Sequence, residues 1–211
     1  MSKICKELHK LFNSLKRFTF PFDDSQIYLN GIYILFENGE AGHSLDRIVR
    51  IGTHTGDCQL RSRLKQHFIL ENKDRSIFRK NIGRAILNKR KDPYLETWEL
   101  DLTTKNNREK FVFLVNKEYQ SQIEKEVSKY IQENFSFCVF KVNDKNKRSI
   151  LESKLISTVS LCNNCGPSKN WLGRYSIKDK IRISGLWQVN ELYKIPISRK
   201  DYKELIFLTK E

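Results

Sequence analysis

The stretch GIYILFENGEAGHSLDRIVRIG, residues 31–52, decides how the chain begins to fold. Two runs rich in β-branched and aromatic residues, 31–36 and 47–52, flank a middle that holds Asn38-Gly39 and Gly42. Such runs read as strands and such glycine-containing steps as turns, so the spacing predicts a β-hairpin. The second run ends on Arg50-Ile51-Gly52, a charged residue and a glycine that a plain hairpin does not need.

Working outward, residues 4–17 set Ile4, Leu8, Leu11 and Leu15 at helical spacing, which predicts an amphipathic helix ended by Pro21. Beyond the hairpin, 59–69 and 76–87 read as helices, the second with Phe78, Ile82, Ala85 and Ile86 on one face. Segments 94–102 and 111–115 read as strands, 118–134 as a charged helix, 136–142 as a strand and 149–161 as a helix. Gly166-Pro167-Ser168 opens a loop, and the tail closes with SGLWQVNELY (184–193) and a short apolar run at 205–208. The order implies a mixed α/β (α+β) protein in which an early hairpin feeds two basic helices.

The 211 residues suffice for a real core, most simply as one domain with extensions. With 39% hydrophobic and 30% charged residues the chain reads as soluble and globular rather than disordered. Lys and Arg number 39 against 25 Asp and Glu, a net charge of +14, and nucleic acid is the usual partner of such a field. The charge is concentrated: residues 61–91 hold 11 basic and 2 acidic residues. A phosphate-tracking surface is therefore expected there, with Lys65, Arg75, Arg79, Lys80 and Arg84 as its contacts.

No apolar run of membrane-spanning or signal-peptide length occurs, so a cytoplasmic protein with reduced thiols is expected, and no membrane partner. Five cysteines fit that expectation. Cys162-Asn163-Asn164-Cys165 has zinc-knuckle spacing, but no second Cys or His pair follows at a regular distance, so sequence gives zinc little support.

Three elements in order, Gly31-Ile32-Tyr33, Arg50-Ile51-Gly52 and Arg63-Leu64-Lys65-Gln66-His67-Phe68, resemble the GIY-YIG nuclease family. The resemblance implies a small central antiparallel sheet flanked by helices, with a core at 31–175, an insertion near 94–134 and extensions at 1–30 and 176–211. It also implies a glutamate on a later helix and an asparagine beyond it, for which Glu152 and Asn170 are the candidates. Tyr33 would activate the attacking water, Arg63 would stabilise transition-state charge, and His67, one helical turn on, would share proton transfer or hold phosphate. Gly31 and Gly52 are the motif glycines, and Gly52 allows close backbone approach.

The helical projection of 149–161 independently sets Glu152 among Leu155, Ile156 and Val159, where a carboxylate needs a cation to offset burial. One carboxylate suits one Mg²⁺ (or Mn²⁺) that keeps waters and phosphate oxygens. Arg50 departs from the family, which usually has tyrosine there; a phosphate or phenolate partner is the expected role. The sequence thus points to a metal-dependent DNA endonuclease acting on double-stranded DNA, of restriction type because little chain lies outside the core. A catalytically inactive nucleic-acid-binding module, which Arg50 favours, and an RNA nuclease are the alternatives, and double-strand cleavage by one site invites a homodimer.

Overall fold

The computed structural model describes residues 2–210. Its centre is an antiparallel four-stranded sheet in the order β1-β4-β2-β3, with β1 Phe18–Thr19, β2 Gly31–Gly42, β3 Leu45–Gly52 and β4 Phe135–Lys141. Alternation along β2 sends Tyr33 and Leu35 into one core and Ile32, Ile34 and Phe36 into another. Both faces are therefore buried, and helices cover each.

The Tyr33 face packs against α2 Leu60–Phe68, α3 Ile77–Arg90 and α6 Lys117–Asn134 through Leu64, Phe68, Phe78, Ile82, Val127 and Ile131. The opposite face takes α1 Ser2–Asn13 and α7 Lys145–Ser160, with Leu8, Phe12, Leu151, Leu155 and Val159 inside and Leu205 of α9 Arg199–Leu208 joining them. Side-chain caps set the starts of the helices that matter to the site. Ser76 accepts from Arg79 N–H to open α3, and Asp144 accepts from Lys147 N–H to open α7.

The α+β architecture expected from sequence holds, with three differences of detail. The Asn38-Gly39 step lies within β2 as an irregularity, with Gly39 at φ 81°, and the hairpin turns at His43-Ser44, both left-handed. Residues 94–102 are not a strand: α4 spans Tyr94–Glu99, because Trp98 is drawn into the core over Gly83, where its indole N–H donates to Lys80 O. Residues 111–115 likewise end α5 Lys105–Phe111 and form a single 3₁₀ turn, with Phe113 77% exposed and no strand beside it. A last short helix, α8 Asp179–Ser184, precedes the WQV segment. Among the described residues no helix is long and apolar enough to cross a membrane, and all five cysteines are free.

Candidate active site

The strand register explains how an arginine inside β3 comes to face Tyr33. Tyr33 pairs with Gly52, Ile34 with Ile51 and Leu35 with Arg50, but Phe36 pairs with Ile48, so Val49 is an extra residue in β3. This is a β-bulge, and a bulge re-aims the side chains that follow it. Strict alternation would put Arg50 on the face of Ile48, in the apolar core behind the sheet. With Val49 inserted, Arg50 shares the face of Leu35 and Tyr33.

There Arg50 Nε donates to Tyr33 Oη at 3.4 Å, and its Nη1 donates to the carbonyl of Trp187. Tyr33 Oη is also hydrogen-bonded to His67 Nε2 at 2.8 Å, and His67 Nδ1 to Ser76 Oγ at 2.7 Å. The result is a buried chain, Arg50–Tyr33–His67–Ser76, that joins two strands to the α2 and α3 helices. Burial, reinforced by Arg63, Arg50 and Arg79, holds the His67 imidazole well below its usual range, so it is neutral. A neutral imidazole has one donor and one acceptor, and both of its nitrogens are engaged here. Gly52 closes the chain: a Cβ there would lie 2.2 Å from Tyr33 Oη.

Arg50 faces a cavity of about 450 Å³ whose wall also includes Arg63, Asn81, Glu152, Gln188 and Asn190. Tyr33, 1% exposed, lies behind Arg50 and Gly52 rather than on this wall. One oxygen of Glu152 accepts from Thr53 N–H at 3.1 Å, which anchors α7 to the end of β3. Burial pushes the Glu152 carboxyl up, opposed by the Arg50 guanidinium, by that amide and, more weakly, by Arg63. Glu152 is not the only acid here: Glu191 joins the wall, but its carboxylate is already held by Ser153 and Lys194. Arg63 is half-buried and turned along the rim by Gln66 Oε1 and Arg75 O.

The residues that sequence reasoning missed come from the tail and from α3. Trp187 fixes Arg50 through its carbonyl, its own N–H donates to Val49 O at the bulge, and Gln188 Oε1 accepts from Ile51 N–H. The indoles of Trp171 and Trp187 both donate to the buried Glu37 carboxylate at 2.7 Å. Asn81 is 1% exposed, and its Nδ2 has no partner among the described residues although Oδ1 accepts from Arg84. Its position on α3, between the basic Arg79-Lys80 and Arg84, gives no sign of this.

Asn170 is exposed and lies off the cavity wall; its neighbour Trp171 is the anchored residue. Three of the expected phosphate contacts are corrected outright. Arg79 is fully buried and bound to Glu124 at 2.8 Å, Lys80 donates to Glu99 O, and Arg84 is ion-paired with Glu99. These cations compensate internal carboxylates and carbonyls, so they are not a free surface. Lys65 and Arg75 are exposed, Lys65 beside Asp24. Gly31 answers to packing: a Cβ would lie 2.3 Å from Phe140 O, where β4 passes.

Two arginines and two carboxylates, Glu152 and Glu191, thus line one cavity, with the buried Tyr33–His67 pair behind it. The GIY-YIG domain family model matches residues 3–203. The chain belongs to the GIY-YIG family, which is made up of endonucleases, and its α1 helix and WQV segment fall inside the match. No curated protein and no solved structure matches it.

Proposed function

We propose that the protein is a metal-dependent endonuclease that hydrolyses phosphodiester bonds of double-stranded DNA. The observation that carries the reading is the convergence of Arg50, Arg63 and Glu152 on one cavity backed by the Tyr33–His67–Ser76 chain. Glu152 suits a hard cation: its carboxyl is desolvated, one oxygen is fixed by Thr53, and among the described residues no hydrogen bond engages the other. Mg²⁺ or Mn²⁺ held there would supply Lewis-acid stabilisation of a phosphate oxygen.

The protein's own groups supply the rest. Arg63 on the rim and Arg50 within it present forked donors to the non-bridging oxygens, whose charge grows in the transition state. Tyr33 is the residue that the family resemblance makes the activator of the attacking water; its Oη lies behind Arg50, so it would meet that water once Arg50 turns to the phosphate, and His67, braced by Ser76, fixes the hydroxyl's position. Asn81 Nδ2, buried at this wall without a partner among the described residues, would be a further donor if substrate opens the cavity to it. Arg50 thus stands where the family has a second phenol and acts as a cation beside the first.

We extend the reading to a restriction-type, cytoplasmic enzyme. In support, α4 packs on α3 and α6 on α2 and α3, and between α5 and α6 the exposed Val112, Phe113 and Leu114 offer an apolar surface to DNA or a second subunit. The test incubates supercoiled plasmid with the protein and Mg²⁺ or Mn²⁺, beside Glu152→Ala. Nicking or linearisation that the variant abolishes is expected. If neither metal supports cleavage, the inactive binding-module reading replaces this one, and cleavage of RNA alone would change the substrate.

A further inference from the structure

The CxxC pair that stands alone in sequence is completed in space. Cys162 and Cys165 follow the end of α7, and the fold brings to them Cys5 from α1 and His43 from the β2–β3 turn. One ligand atom from each of the four lies within 4.8 Å of every other. Cys5 Sγ is 3.6 Å from Cys165 Sγ, and Cys162 Sγ is 3.4 Å from His43 Nε2. A tetrahedral zinc centre with Zn–S near 2.3 Å and Zn–N near 2.0 Å has ligand separations of about 3.5–3.8 Å, so these two contacts already match it and the others, within 4.8 Å, need close only slightly on an ion.

We propose that Cys5, His43, Cys162 and Cys165 form a structural zinc site. The three thiols are buried, and His43 caps them from a half-buried position. With four protein ligands the site is closed, which is the structural rather than the catalytic pattern. Supporting contacts are in place. The backbone N–H of Asn164 is directed at Cys162, as expected for a CxxC turn that stabilises thiolate. His9 is not a fifth ligand: its Nε2 accepts from Ile48 N–H, which leaves Nδ1–H to donate to Cys5 O at 3.0 Å and orient that residue. His43 occupies a left-handed turn position, φ 55°, which histidine tolerates better than most residues, and from it Nε2 reaches Cys162.

The ion would tie together three elements that are 160 and 119 residues apart in sequence across the ligand pairs. Two of these elements lead directly into the active site: β3 carries Arg50 and Gly52, and α7 carries Glu152. The zinc is thus a clamp on the site's scaffold, separate from the Glu152 cation.

Elemental analysis of protein purified without metal-affinity steps should find about one zinc per chain. Cobalt exchange should give the absorption of a tetrahedral thiolate–imidazole centre. Cys162→Ser/Cys165→Ser should lose the metal and lower the melting temperature. His43→Asn, which tolerates the turn, should stay folded with zinc reduced to below about a tenth of an equivalent, and His43→Cys should restore binding with a four-thiolate cobalt spectrum. Glu152→Ala should keep its zinc, which separates this test from that of the nuclease reading. A chain with no zinc as isolated that also fails to bind added zinc or cobalt, a Cys5–Cys165 disulfide in fully active protein, or zinc retained by His43→Asn with an unchanged cobalt spectrum would each overturn the proposal.

Discussion

Gly52→Ala is the smallest change that tests how the site is assembled. The new Cβ would sit 2.2 Å from Tyr33 Oη, while ordinary contact begins near 3.4 Å. The phenol must therefore retreat by about 1 Å. It cannot do so freely, because Tyr33 is 1% exposed and fully buried His67 stands 2.8 Å behind the hydroxyl. Either the ring is driven off His67 or β3 shifts away from β2, and in both cases the hydroxyl's place in the site changes. Overpacking of this kind costs about 1–3 kcal/mol, or a melting temperature lower by roughly 2–12 °C in a domain of this size. A misplacement near 1 Å costs about 100-fold in rate, equivalent to about 2.7 kcal/mol of barrier. Single-turnover plasmid cleavage and thermal melts read the two effects separately. Gly31→Ala is the contrast: its Cβ would strike a backbone carbonyl, Phe140 O, so stability should fall further. Cleavage by Gly52→Ala within threefold of wild type would refute the role given to the Tyr33–His67 contact.

Three further outcomes follow from burial and pairing. Arg79→Met should destabilise the protein by about 3–5 kcal/mol in urea unfolding because it strands the buried Glu124, whereas exposed Arg75→Ala should leave stability within about 0.5 kcal/mol and reduce the salt slope of DNA binding by about one. Asn81→Ala removes a buried amide whose Oδ1 accepts from Arg84 and whose Nδ2 has no partner among the described residues, so stability should fall by about 1–3 kcal/mol and DNA cleavage roughly tenfold, whereas Asn81→Asp, which keeps an acceptor for Arg84, should lose cleavage alone; an unchanged cleavage rate would mean that Nδ2 meets no substrate. His67 is held below its unfolded value, so the native state binds fewer protons than the unfolded chain as pH drops below about 6.5. Its contribution is present above that pH and lost as pH falls towards the folded value. Urea midpoints at pH 7.5 and 5.5 should therefore differ more for wild type than for His67→Gln.

Local chemistry was the legible part of this chain. The hairpin and the α2, α3, α6 and α7 helices follow from the spacing of their apolar residues, and Tyr33, Arg63, His67 and Glu152 are singled out by short motifs carried on those regular elements. Reading failed where a side chain's role depends on what lies across the fold. Residues 94–102 carry strand-like residues, yet Trp98 fills a slot over Gly83 from a helical turn. Arg79, Lys80 and Arg84 looked like a phosphate surface because sequence counts charges without showing that Glu99 and Glu124 stand opposite them. The cysteine pair looked solitary because its companions lie far upstream.

Arg50 joins these two kinds of information. Its identity marks the departure from the family motif, but the single residue Val49 determines which side of the sheet it serves. The bulge depends in turn on the tail, since Trp187 N–H takes the Val49 carbonyl, Trp187 O takes Arg50 Nη1 and Gln188 takes Ile51 N–H. A segment more than a hundred residues downstream thus acts as a second strand-like partner, besides β2, for the end of β3, satisfying backbone groups that a bulge leaves unpaired. That is a physical reason for the family match to run on to residue 203 rather than stop with the last recognisable motif. The site is completed by the tail that holds the bulge, and the bulge is what turns a cation in an apolar strand toward Tyr33.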